Sequence, residues 1–354
     1  MNDHHTDPAA PAPEQGAKGA AEQAAEQAAA IEEAARQCLV ANYGIAGELT
    51  RLPGENLNFL VTTTGNKKYV FKIVDEHMPA TVVELEFAAI AHARKAGFGP
   101  RMPGIIQNRY EKIETGINLP IKGELRSRII EFLNGIDLSM ITDISENLLR
   151  NVGRTVADFA HAMEGFEHPA ARRKHRWNLA DSLQHKDKIA LIEEPEKRAL
   201  LEWAFDTFSA ARPALDELPW QFIHGDAHDE NLLVEDDRVV GLIDFGDACH
   251  NPTVADLAIC LTYLMMRGDD PLAVARTILG GYESVRPLSA AERDVLYPMI
   301  CGRLAVSLCI ANARKRIDPH NPNWFGGEGR TWRWLQELAE LSCIGFQAGL
   351  ARQL

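Results

Sequence analysis

Close-set cysteines are missing from this chain. Its six thiols stand at 38, 249, 260, 301, 309 and 343, and even the nearest pair, Cys301 and Cys309, is too far apart for a CxxC zinc knuckle. Nothing suggests a disulfide framework, so idle thiols in a reducing compartment are expected. An excess of basic charge is missing too. Lys and Arg number 37 against 50 Asp and Glu, a net charge of −13. That balance speaks against nucleic acid as a partner and against docking on anionic lipid. No stretch reads as the roughly 20 consecutive apolar residues of a membrane span. The polar start, with Asp3, His4, His5 and Asp7, lacks the apolar centre of a signal peptide. A cytoplasmic protein with neither a membrane nor a nucleic-acid partner is expected.

What is present is ordinary for a globular protein: 354 residues, 46% hydrophobic and 25% charged. At about 150 residues per domain this predicts two domains or lobes. Residues 1–19, rich in Pro, Ala and Gly, predict a disordered arm. Residues 20–38 predict an Ala-rich helix. Leu57, Phe59 and Val61 alternate with Asn58, Leu60 and Thr62, Gly65-Asn66 supplies a turn, and residues 69–74 resume as a strand. A helix over about 81–95 stops at Gly97 and Gly99-Pro100. Further strands are predicted at 104–107 and 126–132. From Glu146 onward helical spacing dominates, as in Leu148, Val152, Val156 and Phe159. The run Arg172-Arg173-Lys174-His175-Arg176 reads as a solvated loop or helix face. Helices are predicted at 195–213, 253–266, 271–282, 290–316 and 331–351. Trp324, Trp332 and Trp334 read as core.

One polar cluster sits in an apolar setting. Phe222-Ile223-His224-Gly225-Asp226-Ala227-His228-Asp229-Glu230-Asn231-Leu232-Leu233-Val234 is followed by Ile243-Asp244-Phe245-Gly246-Asp247, with Asp244 eighteen positions after Asp226. A charged turn at residues 235–238 makes this a hairpin, which brings Asp226, Asn231 and Asp244 to one end of a small sheet. Those residue types fit phosphoryl transfer from a nucleotide. Asp226 can orient an acceptor hydroxyl and take its proton. Asn231 offers a neutral amide oxygen to one magnesium ion and Asp244 a carboxylate to both, in keeping with a cation that takes few protein carboxylates. Asp256, inside an apolar helix, is expected to anchor the loop to the core.

The paired motif, His-Gly-Asp with Asn five positions after the Asp, then Asp-Phe-Gly, resembles the aminoglycoside phosphotransferase and choline kinase superfamily over nearly all of the chain from about residue 40. The resemblance implies an α+β, two-lobed protein-kinase-like fold: a small N-terminal sheet lobe with one helix (residues 20–133, leading helix included) and a larger, mainly helical C-terminal lobe (134–354) carrying the catalytic hairpin. It implies a phosphate-holding lysine, which falls on Lys72, and a glutamate paired with it. Glu84 and Glu86 both qualify. Glu86 shares a face with Val82, Val83, Ala89 and Ile90, and the family position also falls on it. The adenine hinge falls at 130–135, with backbone groups of Glu131 and Leu133 on the base. His224 is expected to brace the loop without transferring a proton. The loop 52–59 departs from the protein-kinase pattern, because Gly54 stands where that pattern has three glycines.

Within the superfamily the look is closest to the hydroxylysine kinase branch, carried by Leu52-Pro53, Asn58-Phe59, residues 241–247, Phe166-Glu167-His168-Pro169 and Trp177-Asn178-Leu179. This implies ATP or GTP as co-substrate and, as partner, a small amino acid or amino alcohol with a free hydroxyl. Asp247 and Glu230 are offered to its ammonium, Arg303 or Arg176 to its carboxylate. Homoserine, choline, ethanolamine and aminoglycosides are the alternative acceptors. Two other classes compete: a metal-dependent hydrolase with His224, Asp226 and His228 on zinc, and a pseudokinase. The second requires the loss of Lys72, Asp226, Asn231 or Asp244, and all four are present.

Overall fold

The computed structural model describes residues 13–52, 57–74, 76, 78–120, 123–318 and 327–351. Pro53 to Asn56 of the glycine-poor loop, Trp324 and the first twelve residues of the predicted arm lie outside the described residues. The chain divides into two units that interleave in sequence: residues up to Met78 with Ile105–Phe132, and Pro79–Gly104 with Leu133 onward.

The first unit opens with helix α1 (Pro13–Cys38) and continues as an antiparallel sheet. Its strands are β1 (Gly47–Arg51), β2 (Leu57–Thr63), β3 (Lys68–Ile73), β4 (Ile105–Ile106), β5 (Thr115–Leu119) and β6 (Gly123–Glu131). They run in the order β1-β2-β3-β6-β4, with β5 also on β6. Alternation sets the inner face. Phe59 and Val61 of β2, Tyr69, Phe71 and Ile73 of β3, and Leu125 and Ile129 of β6 pack with Ala35 and Cys38 of α1. Lys72, opposite Arg128 in the register, lies between the inward Phe71 and Ile73 and so takes the other face. Asn66 adopts φ 58°, the left-handed geometry of the predicted turn.

The second unit begins with α2 (Ala80–Lys95), whose buried side includes Val82, Val83, Leu85, Glu86, Ala89 and Ile90. After the two-residue strand β7 (Ile136–Asp137) come α3 (Glu146–Ala162) and α4 (Pro195–Asp216). Then β8 (Trp220–Ile223), β9 (Leu232–Glu235), β10 (Arg238–Leu242) and β11 (Cys249–Pro252) are inserted before α5 (Ala255–Leu264), α6 (Pro271–Glu283), α7 (Ala290–Ile317) and α8 (Glu328–Ala351). The hairpin β9–β10 forms as expected, with β7 on its outer side. β8 does not join it; it pairs with β11. Helices α3 and α6 meet at glycine: a Cβ at Gly153 would lie 1.9 Å from Ile278 O, and one at Gly281 1.9 Å from Arg150 O.

Helix α7 corrects one expectation from composition. By length and hydropathy it could cross a membrane, yet 83% of the relevant window is buried inside the protein. It is the central core helix of its unit, lined by Leu296, Ile300, Leu304 and Leu308, and Ser289 and Glu292 close a capping box at its start. Trp332 and Trp334 are buried in the same core.

Candidate active site

Between β8 and β9 the chain makes a tight loop, residues 224–231, and three contacts set its start. Gly225 sits at φ +77°, and a Cβ there would lie 2.6 Å from Asp247 O. Only glycine fits this crossing of the loop under the Asp244–Asp247 turn. Asp256, in the first turn of α5 and 1% exposed, accepts His224 N–H (2.8 Å) on one carboxylate oxygen and Gly225 N–H (2.7 Å) on the other. Burial pushes its carboxyl up to about 7, against the pull of those donors. Two backbone N–H groups of the loop thus end on one carboxylate of α5.

His224 is fully buried and both ring nitrogens are engaged. Nδ1 accepts from Asp226 N (3.3 Å) and Nε2 donates to Ile243 O (3.0 Å). That pattern defines a neutral ring, and burial correspondingly pulls its pKa down to about 4. The unfolded chain binds this proton near pH 6.5, so His224 favours folding fully above that pH and progressively less as pH falls toward 4. Its loss is worth about 2 kcal/mol by about pH 5. Thermal melts of wild type and His224→Asn at neutral and at mildly acidic pH should show the larger acid-induced fall in wild type; equal falls would refute this.

The Ile243 peptide gathers the site. Its carbonyl takes His224, and its N–H donates to Asn231 O (3.0 Å). Asp244, next in sequence, therefore emerges beside Asn231, exposed and at φ 61°. Asn231 donates Nδ2 to both the backbone oxygen (2.9 Å) and Oδ2 (2.8 Å) of Asp226. With its nitrogen so committed, its amide oxygen is the atom left for a cation. One amide oxygen and one carboxylate make a hard, sparse donor set that suits magnesium.

Asp226 is the most heavily braced side chain of the loop. Arg303 Nη2 reaches Oδ1 at 2.6 Å, and His228 Nε2 lies 3.3 Å from Oδ2. Burial alone would raise its pKa; the cationic His228 and Arg303 outweigh that and hold it below the ordinary carboxylate range. His228 is bracketed on its other side by Asp229 (3.2 Å), which pairs with Arg267 at 2.5 Å. Burial works against the charged ring, but Asp226 and Asp229 raise its pKa well above the usual value. The alternating chain Arg303–Asp226–His228–Asp229–Arg267 has no signal in the sequence, which offers Asp226 as the base and different uses for His228, on zinc, and Arg303.

That different use was a substrate carboxylate. Arg303 is 2% exposed, and each of its nitrogens donates to protein: Nε to Tyr263 Oη (3.1 Å), Nη1 to Trp177 O (3.1 Å), Nη2 to Asp226. Burial thus withdraws it from a substrate. Arg176 and Glu230 are exposed. Asp247 accepts from His175 Nε2 at 3.1 Å. The basic run is not simply a solvated face. It alternates: Arg172, Lys174 and Arg176 are exposed, while Arg173 donates to Gly246 O and to Ala248 O (3.3 Å), and His175 holds Asp247. In the other unit Lys72 is partly buried on β3 and Glu131 ends β6; in the same unit as the loop, Glu86 is 6% exposed on α2 and Leu133 lies just before β7.

The zinc reading of His224, Asp226 and His228 does not hold. Both nitrogens of His224 are committed to backbone and both of His228 face carboxylates. Among the described residues no three His, Cys, Asp or Glu side chains are placed to hold a metal.

Comparison with known proteins shows the family of the chain. A family model described as the phosphotransferase enzyme family matches residues 48–288. Hydroxylysine kinase of Mus musculus is 27% identical over 300 residues, 79% of each chain. Homoserine kinase of Gluconobacter oxydans is 31% identical over 274 residues, 76% of this chain and 80% of its own. Among solved structures, a microcompartment-associated aminopropanol kinase superposes with a TM-score of 0.67 at 18% identity, covering 86% of this chain and 97% of that one. The mixed α+β architecture, one antiparallel sheet unit and one helical unit, is thus the fold of kinase-like phosphotransferases.

Proposed function

We propose that this chain, which belongs to the phosphotransferase enzyme family, transfers the γ-phosphoryl group of ATP or GTP to the hydroxyl of a small amino acid or amino alcohol. The observation that carries this is the convergence of a braced, ionised Asp226 with Asn231 and, through the Ile243 peptide, with Asp244. Asp226 accepts the hydrogen bond of the acceptor hydroxyl. As the hydroxyl oxygen bonds to the γ-phosphorus, the bond to the leaving diphosphate oxygen breaks and its electron pair departs with the nucleoside diphosphate. The hydroxyl proton goes to Asp226. Asn231 and Asp244 would hold magnesium, whose charge offsets that of the phosphates. Family position assigns Lys72 to the nucleotide phosphates, Glu86 to the glutamate paired with that lysine, and backbone groups of Glu131 and Leu133 to the base.

A hydroxylysine-like acceptor is favoured by the resemblance to hydroxylysine kinases. Asp247 and Glu230 are the carboxylates for its ammonium, and Arg176 the cation for its carboxylate. A cytoplasmic setting fits the buried free thiols at 38, 249, 260, 301 and 309. The test is a nucleotide-consumption screen with ATP and GTP in parallel. Acceptors would be hydroxylysine, homoserine, aminopropanol, ethanolamine, choline and an aminoglycoside, with the phosphorylated product identified by mass spectrometry. Acceptor-dependent phosphorylation of a hydroxylated amino compound is expected. Hydrolysis indifferent to every acceptor would overturn the assignment.

A further inference from the structure

A carboxylate oxygen accepts about two hydrogen bonds in good geometry. Oδ2 of Asp226 accepts from Asn231 Nδ2 (2.8 Å) and is also faced by the cationic His228 Nε2 at 3.3 Å. Oδ1 has one, from Arg303 Nη2 (2.6 Å). The Asp226 side chain is 21% exposed, and Oδ1, with one donor against the two facing Oδ2, is its less occupied oxygen. It is the oxygen that we take an incoming hydroxyl to meet, and Arg303 already grips it.

Arg303 comes from α7, 77 positions away in sequence, and it is held on every side. Its Nε donates to Tyr263 Oη (3.1 Å) and its Nη1 to Trp177 O (3.1 Å). Its guanidinium carbon lies 4.8 Å from the Trp177 ring centre and 5.5 Å from that of Tyr263. Planar, forked and stacked between two rings, a guanidinium fixes a carboxylate rotamer in a way an ammonium cannot. The strap that supplies Trp177 also supplies Arg173 and His175, which hold Gly246, Asp247 and Ala248. Residues 173–177 thus fix the base, through Arg303, and the turn after Asp244 together.

We propose that Arg303 is a positioning residue for phosphoryl transfer: it acts through Asp226, fixing Oδ1 where the acceptor hydroxyl docks, and does not itself bind the acceptor's carboxylate. This rests on the kinase reading above. Misplacing a base by a fraction of an ångström slows chemistry more than it weakens binding.

The test is steady-state kinetics of Arg303→Lys and Arg303→Ala on the acceptor found in the screen. Arg303→Lys is expected to lower kcat at least about tenfold while the KM values for nucleotide and acceptor stay within about threefold. Adding guanidinium or ethylguanidinium to Arg303→Ala should restore part of the lost kcat, which no repair of a merely structural defect would do. Tyr263→Phe removes the Nε acceptor but leaves the guanidinium, so it serves if the arginine variants fail to fold; it should lower kcat about threefold. A raised acceptor KM at unchanged kcat, or unchanged kcat in Tyr263→Phe and Arg303→Lys, would overturn the proposal. A wild-type protein with no acceptor-dependent transfer would instead overturn the kinase reading, so the two failures are separable.

Discussion

Asp226→Asn should lower turnover at least about a hundredfold while nucleotide affinity stays within about twofold. The amide occupies nearly the same volume, so the loop has little steric reason to move. What changes is the hydrogen-bond register. Asp226 receives Arg303 on Oδ1 and receives Asn231 and His228 on Oδ2, three donors in all. An asparagine can present only one acceptor oxygen. If the oxygen faces Arg303, the amide nitrogen faces two donors; if the amide flips, it faces the guanidinium. Either way a donor opposes a donor, and the acceptor of the hydroxyl proton is lost. Asn231 keeps its bond to the backbone oxygen of residue 226 and Asp244 is untouched, so binding of the metal–nucleotide should persist. Isothermal titration with a non-hydrolysable nucleotide, beside single-turnover transfer, would separate the two effects. A fully active Asp226→Asn would remove Asp226 from the chemistry.

The parts of this site visible in the sequence are those whose chemistry fixes residue type at short spacing. Gly225 is legible because the loop crosses Asp247 O with a positive φ, which demands glycine. Asn231 is legible because it must reach back to Asp226 across five positions. The strands at Phe59–Val61 and Tyr69–Ile73 show alternation because one face is buried. The rest lacks a local signal. β11 is only Cys249-His250-Asn251-Pro252, with no alternation, so its pairing with β8 depends on tertiary context. β1 buries a single residue, Leu49. Arg267 and Arg303 lie 38 and 77 positions from their carboxylate partners, and no periodicity connects them. The basic run is instructive in another way. A cation that binds a carbonyl, as Arg173 does, and a cation in water look the same in a sequence; only the fold separates inward 173 and 175 from outward 172, 174 and 176.

The buried anchor beneath the loop should be nearly as sensitive as the base itself, and by a different route. Asp256 places one oxygen on His224 N–H and the other on Gly225 N–H, at 2.8 and 2.7 Å, with the carboxyl 1% exposed. Asp256→Asn keeps size and removes one acceptor, so an amide nitrogen must face a backbone N–H where no water can intervene. Leaving such a donor unpaired costs about 1–3 kcal/mol, and more when a second donor is pushed against it. The strain falls on the peptide that carries Gly225 under Asp247, so the loop shifts and takes Asp226 with it. Turnover is therefore expected to fall at least about tenfold, together with a lower melting temperature. Asp256→Ala should be the milder of the two in stability if the vacated space admits a water to both N–H groups, because a neutral gap is less costly than opposed donors. Thermal melts and kcat of the two variants decide this. A melting temperature for Asp256→Asn equal to that of wild type would mean that the two backbone donors do not depend on the carboxylate.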